Sequence, residues 1–578
     1  MERHLGKVKI DYQERDLLDI SDFNSQYSYS IIENHHDYQP YTMTGLQSYN
    51  PIYAKLFDIN KSGSQISLQH KYHINNLHSV VDTRTGEIVE TPIFVKFSPL
   101  LDPIKYMIGK YPLQDDKIRT LPSFSPSGSS TFSKLADENN ASYIDGFFSY
   151  LSSQLLEQHG FLHGIDYYGS YLGVQDKFKM NVSDDIEYLY TSDYFNRNVG
   201  KHFFISDDVR QHVSEGFGSR ANKNKLTIQS DDAGIDLGIE DIYAENNAIE
   251  DNAIENNAIE ENEVVYVKST NSTQSSTDSS NNSEVIYSSS DESEDSDSQN
   301  SESEDESEDD ESESDESESE CDDIYAFLPK FPVQMICLEK CVGTFDHLLE
   351  KGVIDDCEGA SALFQIVMTL LVYQRAFSFT HNDLHTNNIM YVNTDIEYLY
   401  YMWENQVYRV PTYGKIYKII DFGRSIYRYE GKTFCSDSFA SGGDAATQYN
   451  CEPYMNENRP RLDPNPAFDL CRLGCSMYDF LIEDESESEM DDYQKTVARW
   501  CKDDDGRNVL YKRNGDERYP NFKLYKMIAR IAHHHSPQEQ LKMPLFAQFL
   551  MPEKQRNRFV LVDGEPGMMN IDAIPSYV

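Results

Sequence analysis

Positive charge is what this chain has least of. Lys and Arg total 50 against 98 Asp and Glu in 578 residues, a net charge of −48. So anionic a chain argues against nucleic acid or an anionic membrane as a direct partner, since both need a cationic patch. Long apolar runs are also missing. The longest, around Phe364 to Tyr373, is too short to span a bilayer. Met1-Glu-Arg-His4 lacks the apolar stretch of a signal peptide, so the expectation is a cytoplasmic protein, neither secreted nor membrane-spanning. The nine cysteines are scattered, and only Cys337/Cys341 and Cys471/Cys475 lie close. With three intervening residues, apolar surroundings and no clustered histidine, they read as reduced core thiols and not as zinc ligands. Glycine never clusters between Tyr41 and Lys96, where Gly45, Gly63 and Gly86 stand singly.

What the chain does have is two short acidic motifs in order. The first is Phe379-Thr-His-Asn-Asp-Leu-His-Thr-Asn-Asn388; the second is Ile419-Ile-Asp-Phe-Gly423, where β-branched residues run straight into Asp421. An acid, an amide and a second acid are what phosphoryl transfer from a metal nucleotide requires. One carboxylate orients or accepts the proton of the attacking hydroxyl, while the amide and the other acid hold Mg2+ against the phosphates. At these residues the chain resembles the eukaryotic-type protein kinases, whose signatures are H-R-D-L-x-x-x-N and D-F-G. His381, Asp383, Leu384 and Asn388 match the first, and Asp421, Phe422 and Gly423 the second.

The resemblance implies an α+β, bilobal protein-kinase-like fold. It has a small β-rich N-lobe with one main helix, a larger mostly helical C-lobe and, here, a long disordered acidic insert. The expected organisation is an N-terminal extension (1–40), the N-lobe with insertions (41–240), the insert (241–323), then hinge and C-lobe (324–578). It also assigns roles. Asp383 is the catalytic acid, Asn388 and Asp421 hold Mg2+, and Lys96 in Glu87-Ile-Val-Glu-Thr-Pro-Ile-Phe-Val-Lys-Phe97 grips the ATP phosphates. Asp145, one methylene shorter than the family's glutamate, is the best partner for Lys96, with Glu138 as the other candidate; Glu339 to Val342 would frame the adenine.

Local patterns fill in the rest. Pro51–Phe57, Gln65–His70 and Glu87–Phe97 read as short strands, with Gly63 the best turn. Ile144, Phe147, Phe148, Leu151 and Leu155 recur at helical spacing, predicting a helix over 141–158 that stops at Gly160. Phe161–Val174 and Val333–Glu339 read as strands, and Thr344 as the cap of a helix. Gly359–Ala376 is a buried helix leading to the first motif. Ile389–Val392 and Lys415–Ile420 are strands flanking a Tyr-rich hairpin. Pro464–Gly474 is similar to the kinases' D-x-W-S-L-G helix, a resemblance that implies that Asp469 braces the first motif's backbone; Leu524–Ile531 is expected to form an amphipathic helix and His533–His535 to lie at the surface. Residues 241–323 hold 30 acids against Lys268 alone, after three Asn-Ala-Ile-Glu repeats. Too little of this stretch is apolar to offset chain entropy, so disorder is expected, with basic proteins as candidate partners.

The departures matter as much as the matches. Asn382 stands where the family has Arg, His385 where it has Lys, and both the glycine-rich loop and the A-P-E motif are missing. Asp-Leu-His is shared with haspin-type kinases. Together with the Phe94–Asp102 run and the Tyr- and Asn-rich composition, it resembles the serine/threonine kinases of mimivirus-type giant DNA viruses, implying host cytoplasm or virion. The leading expectation is a Mg-ATP-dependent serine/threonine protein kinase acting on a protein substrate. Two alternatives are a small-molecule or lipid kinase of the same fold, and a pseudokinase scaffold that binds basic partners through its acidic insert.

Overall fold

Four runs rich in apolar residues pair into one antiparallel sheet that fixes the position of Lys96. The computed structural model describes residues 10–27, 38–57, 65–123, 131–206, 324–482, 490–556 and 567–578. Strand β1 is Met43–Gln47 and β2 is Ile93–Pro99; helix α1 spans Ala141–His159, followed by β3, Tyr167–Asn181, and β4, Tyr325–Glu339. Their order across the sheet is β1-β3-β4-β2. The nearly continuous apolar run of β4 is explained by its central place, covered on both faces. On β4, Gln334, Ile336 and Leu338 face α1, while Met335 and Cys337 join Ile74, Leu77 and Val80 of a small three-stranded sheet on the opposite side. Strand periodicity then decides where Lys96 goes. Opposite Ile336 in the ladder, it points towards α1, whereas Val95 and Phe97 point away.

Helix α1 is buried along most of its length, as its breadth of apolar residues implies. Asn140 caps it by accepting from the Ser142 N–H at 3.0 Å, and Gly160 closes it at φ +66°, a left-handed conformation glycine adopts without penalty. A short strand, Phe204–Ile205, pairs with Phe327 and Ala326 of β4, and Ser206 N–H donates to Tyr325 O at 2.9 Å. The acidic run 241–323 and Gly63 lie outside the described residues.

Beyond β4 helices and short strands are interspersed. Helix α2, Asp356–Phe377, is long and apolar enough to cross a membrane by length and composition, longer than its central apolar run suggests. It is nevertheless a core helix, with 89% of its apolar window buried within the protein. Strands β5 (Ile389–Asn393) and β6 (Lys415–Ile419) pair antiparallel, Ile389 opposite Ile419, and the expected hairpin, Tyr398–Trp403 with Gln406–Pro411, lies between them. Helices α3 (Phe468–Leu481) and α4 (Lys523–Ile531) complete the elements that bear on the site.

Several local expectations are corrected. Pro51–Phe57 is not a strand, because Ile52–Leu56 is a helical turn. Pro51 is already at helical φ/ψ and the Asn50 side chain accepts from Ile52 N–H at 3.1 Å, so the chain is committed to a helix before any pairing is possible. The strand expected at Phe161 begins only at Tyr167, and the one expected at Val333 already at Tyr325. His535 is buried, its Nε2 bonded to Lys502 O at 2.6 Å, though His533 and His534 are exposed. Eight described cysteines are free, but Cys357 is exposed and not a core thiol.

Near the end of α1, burial and the neighbouring Asp166 push the Glu157 carboxyl up to about 7. A folded-state value above the unfolded one means that the native protein binds the extra proton, so stability declines as pH rises from about 4.5 through 7. Replacing Glu157 with Gln should flatten that decline. At pH 8 the variant should be more stable by about 1–3 kcal/mol, read as a higher melting temperature.

Candidate active site

Lys96, Asp145 and Asp421 are separated widely in sequence and meet in one ion cluster. Lys96 Nζ lies 2.6 Å from Asp145 Oδ2 and 2.9 Å from Asp421 Oδ1. The other oxygen of Asp145 accepts from the Phe422 backbone N–H at 2.9 Å, so one buried carboxylate holds both the lysine and the backbone that follows Asp421. Burial raises the Asp145 pKa, opposed by Lys96. Burial also pulls the Lys96 ammonium down, but Asp145 and Asp421 outweigh it and the net shift is upward, which keeps the cation charged. Glu138 does not take part; it pairs with Lys55 at 3.2 Å.

Beside Asp145, Gly146 faces β4, where a Cβ would sit 2.4 Å from Nε2 at the far end of the Gln334 side chain. Phe148, one turn on, stacks on Phe379 at 4.2 Å and packs on Phe422 at 4.7 Å, so the same helix seats both acidic motifs.

The loop 381–388 is held by its backbone. Buried Asp469 on α3 accepts from His381 N–H and Asn382 N–H, both at 2.9 Å, the brace expected of it. Burial raises the Asp469 pKa, while His381 and those two N–H groups oppose the rise. His381 Nδ1 accepts from Asp383 N–H at 3.3 Å, which leaves Nε2 to donate to Ile420 O at 2.9 Å. Asn382 has φ +65° and Asp421 φ +63°, left-handed conformations that short polar side chains tolerate best. Asn382 is fixed on both sides: its Nδ2 donates to Arg424 O at 3.1 Å and its Oδ1 accepts from Tyr449 at 2.9 Å.

Asn388 links the two motifs. Its Nδ2 donates to Asp383 O at 2.9 Å and its carbonyl accepts from Ile420 N–H at 3.0 Å. Asp383 itself accepts at Oδ1 from the Tyr525 hydroxyl at 2.8 Å, with Arg424 Nη1 3.8 Å away. Burial pushes the Asp383 pKa up, but Arg424, His385 and Arg472 together bring it down to about 2. Arg424 is in turn paired with Asp444.

Glu339 and Val342 are placed differently from the rest. The Glu339 side chain is ion-paired with buried Lys418 and accepts from Asp166 N–H at 2.8 Å. The N–H groups of Glu339 and Val342 donate to Asp166 O and Tyr391 O, while Cys341 between them has no backbone acceptor among the described residues. Tyr525, Arg424 and Arg472 were not anticipated. Arg424 directly follows Asp421-Phe-Gly and Arg472 lies three residues after Asp469, so both could have been noticed on that ground; Tyr525 lies in the expected amphipathic helix with nothing in the sequence to mark it for the site. No protein-family model matches this chain, and neither does any curated protein.

Proposed function

We propose that the chain is a Mg-ATP-dependent phosphotransferase, a divergent serine/threonine protein kinase with a small β-rich lobe around β1–β4 and α1 and a larger helical one. The observation that carries this reading is the bridge from Lys96 to Asp145 and Asp421, formed next to a braced loop that presents Asp383.

The residues suit the nucleotide. Asn388 spends its Nδ2 on the loop, so the side-chain atom left for a ligand is an oxygen, the hard donor that Mg2+ prefers, as is the Asp421 carboxylate. Mg2+ takes one or two protein ligands of this kind and the rest from phosphate and water. When bound, Mg-ATP supplies the transferable phosphoryl group and neutralises charge on it. Asp145 keeps Lys96 extended towards the phosphates, and Lys96 offsets their charge. Asp383, ionised from about pH 2 upward, orients the acceptor hydroxyl and takes its proton. Of the connector at 339–342, the Cys341 N–H is the donor suited to the base, since those of Glu339 and Val342 are taken. No covalent enzyme intermediate is required.

The test is transfer of γ-labelled phosphate from ATP with Mg2+ to arrayed Ser/Thr peptides and, separately, to a panel of metabolites. Label on peptides, reduced about 100-fold by Asp421→Asn, is the expected result. Label only on a metabolite would make it a small-molecule kinase, and a wild-type chain that transfers nothing would overturn the proposal.

A further inference from the structure

The hydroxyl of Tyr525 sits between two groups that give it only one way to point. Arg472 Nε, on α3, lies 3.0 Å from it, and Asp383 Oδ1 lies 2.8 Å away on the other side. A guanidinium can only donate, so the Tyr525 oxygen accepts from Arg472 and its single proton is directed at Asp383. The ring has little freedom: it stacks on Phe522 at 5.4 Å and carries the Arg424 and Arg472 guanidinium groups over it at 5.7 and 5.2 Å. The relay and Arg424 both address Oδ1, and Oδ2 of Asp383 has no hydrogen-bond partner among the described residues.

We infer that Arg472 and Tyr525 are positioning residues which, resting on the kinase reading, fix the Asp383 side chain through Oδ1 and so present Oδ2 to the acceptor hydroxyl. Every charged group facing Asp383 fits this arrangement. His385 comes from its own loop, Arg424 from the chain after Asp421, Arg472 and the buried Asp469 from α3, and Tyr525 from α4. Burial pushes the Tyr525 phenol up to about 12, with Arg472 opposing and Asp383 adding to the rise, so it remains a neutral donor at physiological pH. The relay has a price in basicity. A carboxylate that accepts a hydrogen bond binds its proton less tightly, so Asp383 is held in place and made a weaker base together.

Tyr525→Phe keeps the ring and removes only the hydroxyl. The expected result is a 10- to 100-fold fall in kcat with the KM for ATP within twofold, and an acid limb of the kcat/KM profile moved to higher pH by about half a unit. Added to Asp383→Asn, the substitution should cause no further loss, because both act through one carboxylate. Unchanged kcat and pH profile, or losses that multiply in the double variant, would overturn the relay. A purely structural role would lower the melting temperature and leave the pH profile where it was. The placement of the Asp383 side chain can also be read directly, from crystal structures of wild type and Tyr525→Phe. A carboxylate turned away from its wild-type rotamer in Tyr525→Phe supports the relay and an unmoved one overturns it. That readout stands even if wild type transfers no phosphate, an outcome that would remove the kinase reading alone.

Discussion

Replacing Asp383 with Asn should lower the rate of phosphoryl transfer by about 1000-fold or more while leaving the protein folded. The substitution preserves shape and one oxygen, so Tyr525 can still donate to Oδ1 and the backbone contacts of the loop with Asp469 and Asn388 are untouched. What is lost is a charge that stays ionised down to about pH 2 and with it the capacity to take a proton. The loss should fall on kcat, with the KM for ATP within a few-fold, because Lys96, Asn388 and Asp421 are unchanged. A variant within tenfold of wild type would show that the acceptor hydroxyl is activated by some other group. The melting temperature of the same sample separates lost chemistry from lost fold.

Asp469→Ala should have the largest effect on stability, about 3–5 kcal/mol, read from the urea midpoint. Its two carboxylate oxygens satisfy two successive backbone N–H groups in a fully buried site. One of those N–H groups belongs to Asn382, whose left-handed φ is tolerable only while its surroundings hold it. The loop would therefore relax as well as lose its partners, and Asp383 would lose its register to Asn388. Asp469→Asn keeps one acceptor and should cost roughly half as much. An alanine variant that unfolds at the wild-type urea midpoint would mean that Asp469 is not the brace of this loop.

The elements around the site were legible where local pattern and tertiary need agreed. The α1 and α2 helices, the β5–β6 pair and the caps Thr344 and Gly160 all follow from residues within a few positions of one another. Asp469 could be read because its run, Pro464–Gly474, resembles a helix of the kinases whose aspartate braces the catalytic loop. What failed to show were arrangements set by distant partners. Pro51–Phe57 has the composition of a strand, but Asn50 and Pro51 start a helix before pairing can compete. The choice of Asp145 over Glu138 is set by distant partners: Asp145 meets Lys96 and the Phe422 backbone, while Glu138 pairs with Lys55. Tyr525 reaches Asp383 across 142 positions, with no spacing to announce it.

The pairing of Ile205 with Ala326 has a bearing on how the long acidic stretch is tolerated. Its two exits from the sheet, at Ser206 and Tyr325, are stapled side by side by a backbone hydrogen bond. The ladder therefore receives Ser206 and Tyr325 at one doorway, so the chain that follows the one and precedes the other leaves and rejoins the sheet at a single edge, away from the strand that carries Lys96.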